Sequence, residues 1–173
     1  DRARALRRNG SDMEAWDVMG SAPTPLPSPD RWWRERHIMA RDALKLSAYD
    51  ISYQLTANTG MESGGGFADA EFLAGWIALR HQDKPAIALE HFQRLAAGVS
   101  FPISRARAHY WSGRAHDALG QTEDALTSYG RAAQDSTTFY GQLAMTRLTS
   151  TPILSLGLEM PAPDRRLDND DRI

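Results

Sequence analysis

A helix bearing a glycine, followed across a short turn by a helix bearing an alanine and an aromatic ring, is the feature that most restricts what this chain can fold into. Gly113, Ala125, Tyr129 and Ala132 form one such set, and Gly75, Ala88 and Phe92 form another. The offset between the two glycines is slightly longer than the ~34-residue period of helix-pair repeats. Small residues let two antiparallel helices approach closely, and the ring fills the gap to the next pair. The flanking residues agree. Between Ile103 and Leu148 the pattern reads as helix, turn, helix, turn, helix. Ala106, Tyr110, Gly113 and Asp117 recur at spacings of three or four, and Trp111, Ala115, Ala118 and Leu119 make a second stripe beside them. Two stripes on one helix mean packing on two sides, as in stacked helices. Gly120-Gln121-Thr122 interrupts the pattern. Thr122 is the expected N-cap of the next helix, with Glu123 and Asp124 in its first turn, where the helix dipole favours acids.

The rest of the chain supplies more helices of this kind. Asp1 to Arg8 reads as the last turns of a helix stopped at Asn9-Gly10, and its start in mid-helix suggests further chain upstream. Ser11 or Asp12 is expected to cap a short helix through Met19. Ser21 to Asp30 is Pro-rich and non-helical. Pro29 or Asp30 opens a helix that continues to Leu46. Trp33, Ile38, Ala40 and Leu44 are expected toward the core, and Arg34, Arg36 and Arg41 outward or paired with Glu35 and Asp42. Ala48 to Ala57 is its partner helix. Asn58 to Gly66 is expected as a flexible loop, because three consecutive glycines disfavour helix. Phe67 to Gln82 and Pro85 to Ala97 form the next pair, with Pro85 well placed at a helix start.

Beyond Leu148 the pattern stops, and Pro152, Pro161 and Pro163 precede a charged tail. The expected division is a helical-repeat domain over residues 1–148 and a Pro-rich, charged tail over 149–173. Leu167 to Ile173 reads as the first turn of a further helix. The expected fold class is all-α, with about eight to ten helices in antiparallel pairs stacked as a right-handed superhelix and no sheet.

Gly113, Gly120, Ala125, Tyr129 and Ala132 resemble in their placement the small and aromatic residues of a tetratricopeptide unit. A second resemblance is more specific. Thr137-Thr138-Phe139-Tyr140-Gly141-Gln142-Leu143-Ala144, with Ala106 to Leu119 and Phe67 to Arg80 (FADAEFLAGWIALR), resembles the superhelical domain of soluble lytic transglycosylases. The likeness covers roughly residues 1–150, most specifically 31–148, and includes the Trp32-Trp33 helix with its Ala48-Tyr49 partner. Members of that family are bacterial periplasmic enzymes that cleave peptidoglycan glycan strands. The resemblance implies a periplasmic location and a weak, extended contact surface for peptidoglycan. It also implies a second partner, the catalytic domain of the same parent protein.

In that family a single Glu, followed by Ser and lying in a separate lysozyme-like domain, donates and retrieves the proton. A Gly-Leu-Met-Gln-type stretch ending in Met-Pro follows it. Here Glu62-Ser63 is followed by Gly64-Gly65-Gly66, a loop that cannot by itself bury a carboxyl and raise its pKa. Gly157-Leu158-Glu159-Met160-Pro161 lacks the Gln and lies in the tail. Neither is read as catalytic, and no catalytic residue is assigned to this chain.

Other chemistries find little support. A net charge of −2 gives no reason to expect nucleic acid. The absence of cysteine excludes disulfides and thiolate metal sites. No stretch is apolar enough to span a membrane. His37, His81, His91, His109 and His116 form no HExxH pattern, and no P-loop or GxGxxG fingerprint occurs. Ser104, Ser112 and Ser128 lack a nucleophile-elbow setting. Neither a cofactor nor a metal is expected. The binding candidates are rings and guanidinium groups. Trp32, Trp76, Trp111 and Tyr140 can offer flat faces to sugars, and Arg105, Arg107 and Arg114 can meet peptide carboxylates. For the rings the competing role is packing between helices. For the arginines it is pairing with Asp117 or exposure to solvent.

Two functional readings follow. One is the non-catalytic superhelical scaffold of a lytic transglycosylase, framing peptidoglycan and supporting a catalytic domain. The other is a free-standing helical-repeat adaptor that binds another protein's peptide or helix in its concave face. Helices cut at both ends would leave apolar faces uncovered and favour self-association.

Overall fold

The computed structural model describes residues 2–22 and 28–149. Among these residues the chain is all-helical: α1 (Arg2–Arg8), α2 (Asp12–Gly20), α3 (Pro29–Lys45), α4 (Tyr49–Thr56), α5 (Gly64–Arg80), α6 (Pro85–Gly98), α7 (Pro102–Ala118), α8 (Thr122–Ala133) and α9 (Phe139–Thr149). Helices α3, α6 and α7 each start on a proline, where the missing N–H has no intrahelical partner to lose. Helices α1, α3 and α7 end in the same way. Gly10, Ser47 and Gly120 take positive φ. The following amide then reaches back over the last turn, Ser11 to Leu6 (3.0 Å), Ala48 to Ala43 (2.9 Å) and Gln121 to His116 (2.9 Å).

The α3–α4 and α5–α6 pairs pack antiparallel. In the α5–α6 pair, Gly98 at the end of α6 faces Phe67 near the start of α5, while Gly75 further along α5 faces Phe92. In the α3–α4 pair, Arg36 reaches the Leu55 carbonyl and the Ser52 hydroxyl donates to Ala40, 2.8 Å in each case. In both glycine-and-ring sets the ring lies on the glycine of its own helix pair. A Cβ added to Gly75 would stand 2.6 Å from Cε1 of Phe92, and one added to Gly113 would stand 2.6 Å from Cε1 of Tyr129. Each ring lies flush against the backbone of the preceding helix, a place only glycine leaves open.

The apolar interior is a series of clusters rather than one centre. Ala15, Met19, Met39, Ala43 and Leu55 fill the space among α1 to α4. Ala78, Ala88, Phe92 and Ala115 join α5, α6 and α7, and Tyr110, Ala125, Tyr129, Ala132 and Ala144 join α7, α8 and α9. Helices α3, α5, α7 and α9 also touch in series, whereas α4, α6 and α8 make no comparable contact with one another.

Several expectations are corrected. Gly64 to Gly66 are not loop but the first turn of α5. The first turn needs no intrahelical N–H bonds, and the glycines are used for space: Gly64 has φ +86°, and a Cβ on Gly66 would press on Trp33 and Met61. Thr122 is the first residue of α8 rather than its cap; Gln121 holds that position, without a side-chain capping bond. Ala118 is exposed, so the second stripe of α7 rests on Trp111 and Ala115. On α3, Met39 and Ala43 are buried in place of the half-exposed Ile38 and Leu44. Arg36 does not face outward. It is buried and donates to the carbonyls of Leu55 (2.8 Å), Gln54 (2.9 Å) and Ala57 (3.4 Å), closing the C-terminus of α4. Burial lowers its pKa. The tail over 150–173, with the Gly157–Pro161 stretch and the Leu167–Ile173 helix start, lies outside the described residues, as do 23–27 of the Pro-rich segment.

Candidate contact face on α5 and α7

Helices α5 and α7 lie side by side and present a mixed aromatic and cationic strip. The Arg107 guanidinium stands 4.4 Å over the Phe72 ring. One of its terminal nitrogens is 3.8 Å from the Asp69 carboxylate and 3.5 Å from the Ala68 carbonyl. Phe72 meets Trp111 edge-on at 6.1 Å, and Arg114 stands 5.8 Å from the Trp111 ring. The strip therefore runs Asp69, Arg107, Phe72, Trp111, Arg114. Its local cause is helical spacing: Arg107, Trp111 and Arg114 share one side of α7, and Asp69 and Phe72 share one side of α5. Trp111 also packs on the buried Phe92 at 6.1 Å, which fixes its ring. The Nε atoms of Arg107 and Trp111 are buried without an acceptor. Flat rings beside guanidinium donors suit sugar faces and carboxylates.

Of the candidate residues, the structure brings Arg107, Trp111 and Arg114 together on this strip and places the others elsewhere. Arg105 is engaged, and with Asp135 rather than Asp117. Its Nε and terminal nitrogen donate to the two Asp135 oxygens at 3.0 and 2.5 Å, which raises the guanidinium pKa further. Asp117 instead accepts the Tyr129 hydroxyl at 2.6 Å. Burial, then that carboxylate, push the Tyr129 pKa up. Tyr140 is half-buried against Tyr110 (5.4 Å) and Phe139 (5.2 Å), within the α7–α8–α9 packing. Trp76 meets His81 edge-on at 5.0 Å, and His81 stacks on Tyr49 at 4.1 Å beside a cleft of about 540 Å3. Trp32 lies at the other end of the chain, in a cleft among α1, α2 and α3.

The Thr137–Ala144 stretch forms the corner between α8 and α9. The Thr138 hydroxyl donates to the Asp135 carbonyl (2.8 Å) and accepts the Gly141 amide (3.1 Å). A Cβ on Gly141 would collide with the Asp135 carbonyl. Ala144 is buried against the tyrosine cluster. Arg105 holds the same Asp135 through its side chain, so the corner is tied to the start of α7.

One polar cluster escapes a reading by motif. Glu71, buried on α5, accepts from Arg94 Nε at 3.0 Å, and its carboxylate lies 2.8 Å from His91 Nδ1. His91 Nε2 lies 3.0 Å from the Tyr53 hydroxyl. The cluster ties α4, α5 and α6 together. The available signal was Glu71 itself, a carboxylate within an apolar helical stripe, which requires a partner when buried. Among the described residues no three His, Asp or Glu side chains are placed to hold a metal ion. No helix among them is long and apolar enough to cross a membrane. Comparison of the chain with known protein families, with curated proteins and with solved structures returns no match.

Proposed function

We propose that this chain is the superhelical, tetratricopeptide-like scaffold of a periplasmic bacterial lytic transglycosylase, which frames peptidoglycan and supports a catalytic domain of the same parent protein. The observation that carries the reading is the Thr137–Ala144 stretch. Its resemblance to the family spans residues whose individual roles are now visible, with Thr138 and Gly141 making the α8–α9 corner and Ala144 packing behind it. The series of contacts along α3, α5, α7 and α9 supports a curved stack with those helices on the inner side, since the layer in mutual contact lies at the smaller radius. The strip of Phe72, Arg107, Trp111 and Arg114 then lies on the concave side, where a glycan strand with acidic peptide stems finds rings for sugars and guanidinium groups for carboxylates.

The reading frame beyond the Ile173 codon tests this directly. It is expected to encode a lysozyme-like domain with a Glu-Ser pair and a following Gly-Leu-Met-Gln stretch. A stop codon soon after Ile173 would favour a free-standing adaptor. Incubated alone with purified sacculi, the chain is expected to release no anhydro-muropeptides, and their release would overturn the non-catalytic assignment.

A further inference from the structure

We propose that the cleft among α1, α2 and α3 is a binding site for a short peptide carrying at least two carboxylates. The cleft measures about 450 Å3 and is lined by Arg2, Arg4, Arg31 and Glu35 together with apolar residues including Val18 and Trp32. A volume of this order suits a small ligand. The charges do not balance within it. Arg4 Nε bonds Glu35 at 2.7 Å, and Arg7 approaches the same carboxylate at 3.5 Å. One glutamate thus serves two guanidinium groups, while Arg2 and Arg31 have no acidic partner among the described residues. Arg7 Nε is buried and has no acceptor.

Guanidinium forks match carboxylates in a bidentate manner, and two forks without an acidic partner among the described residues, both lining one cleft, suit a ligand with two such groups. The apolar lining separates a peptide from a bare anion. Met19 and Ala3, both buried, and the half-buried Trp32 line the same cleft. A carbon-bearing backbone covers these surfaces, and inorganic phosphate does not. This site is separate from the strip on α5 and α7.

The test is isothermal titration of the full chain at low ionic strength with three probes: tri-glutamate, N-acetyl tri-glutamine amide and inorganic phosphate. Tri-glutamate is expected to bind and to shift the Trp32 indole N–H resonance. The uncharged peptide is expected not to bind, and phosphate to bind much more weakly. Arg2 and Arg31 are exposed, so the double variant Arg2→Gln/Arg31→Gln is expected to fold, as circular dichroism can verify, and to bind tri-glutamate about tenfold or more weakly. Failure of tri-glutamate to bind, equal binding by the double variant, or equal binding of phosphate would each overturn the proposal.

Discussion

Replacing Gly113 by Ala isolates the contact on which the helix-pair geometry rests. The new Cβ would lie 2.6 to 2.9 Å from Cε1, Cδ1 and Cζ of Tyr129, well inside ordinary carbon contact. The ring cannot simply swing away. Its hydroxyl is held by Asp117 at 2.6 Å, and its faces pack among Tyr110, Ala125 and Ala132. Overpacking of this kind costs about 1–3 kcal/mol. The intrinsic helix preference of Ala over Gly returns ~1 kcal/mol. The expected net effect is a loss of about 0–2 kcal/mol, against the gain that an unobstructed Gly→Ala change would give.

Gly130, on α8, supplies the control. Nothing lies within 4 Å of a Cβ placed there, so Gly130→Ala is expected to gain up to ~1 kcal/mol. Urea unfolding followed by circular dichroism reads both. In a double-mutant cycle, Tyr129→Leu should relieve part of the Gly113→Ala penalty, giving a coupling of about 0.5–3 kcal/mol. If Gly113→Ala stabilises the chain as Gly130→Ala does, Tyr129 is not seated on α7 and the repeat geometry is wrong.

Further predictions concern buried polar groups and the corner. Arg36→Met, which leaves the carbonyls of Leu55 and Gln54 without their donor, is expected to destabilise by about 2–4 kcal/mol in the same unfolding assay. Arg36→Lys should recover only part of that, since it loses the fork. Arg105→Gln, which releases Asp135, is expected to speed amide hydrogen exchange at Thr138 and Gly141 more than at α3; unchanged exchange would mean that the corner stands without Arg105. His109 has its pKa lowered from 6.5, first by burial and then by Arg131 and Arg105. The unfolded chain therefore takes up that proton at a higher pH than the folded chain. Stability is expected to fall as pH drops below about 6.5, with a slope that His109→Gln reduces; an identical slope in the variant would contradict the assignment.

Much of this fold is legible because the pattern is local. Gly75 with Phe92, and Gly113 with Tyr129, announce close helix packing through residue size alone, and Pro85 and Gly120 mark a start and a stop. The misreadings arise where tertiary contacts override local preference. The Gly64–Gly66 run has little helical tendency, yet the space under Trp33 and Met61 can be filled only by a chain without a side chain at Gly66. Arg36 looks like a surface residue until α4 ends against it and offers carbonyls. The contact strip was half visible. Arg107 and Trp111 stand out by residue type, but Phe72, which joins them, resembles any core aromatic until α5 and α7 are set side by side. Arg105 shows the reverse case: its residue type suits a ligand, and only the fold reveals that Asp135 occupies it.

The central claim is that the α5–α7 strip lies against peptidoglycan. Co-sedimentation with purified sacculi at low ionic strength, for the wild-type chain and for Arg107→Gln/Arg114→Glu, tests it most directly. The account predicts that the wild-type chain pellets with the sacculi and that the folded double variant remains largely in the supernatant. A wild-type chain that stays in solution, or a double variant that pellets equally well, would contradict it.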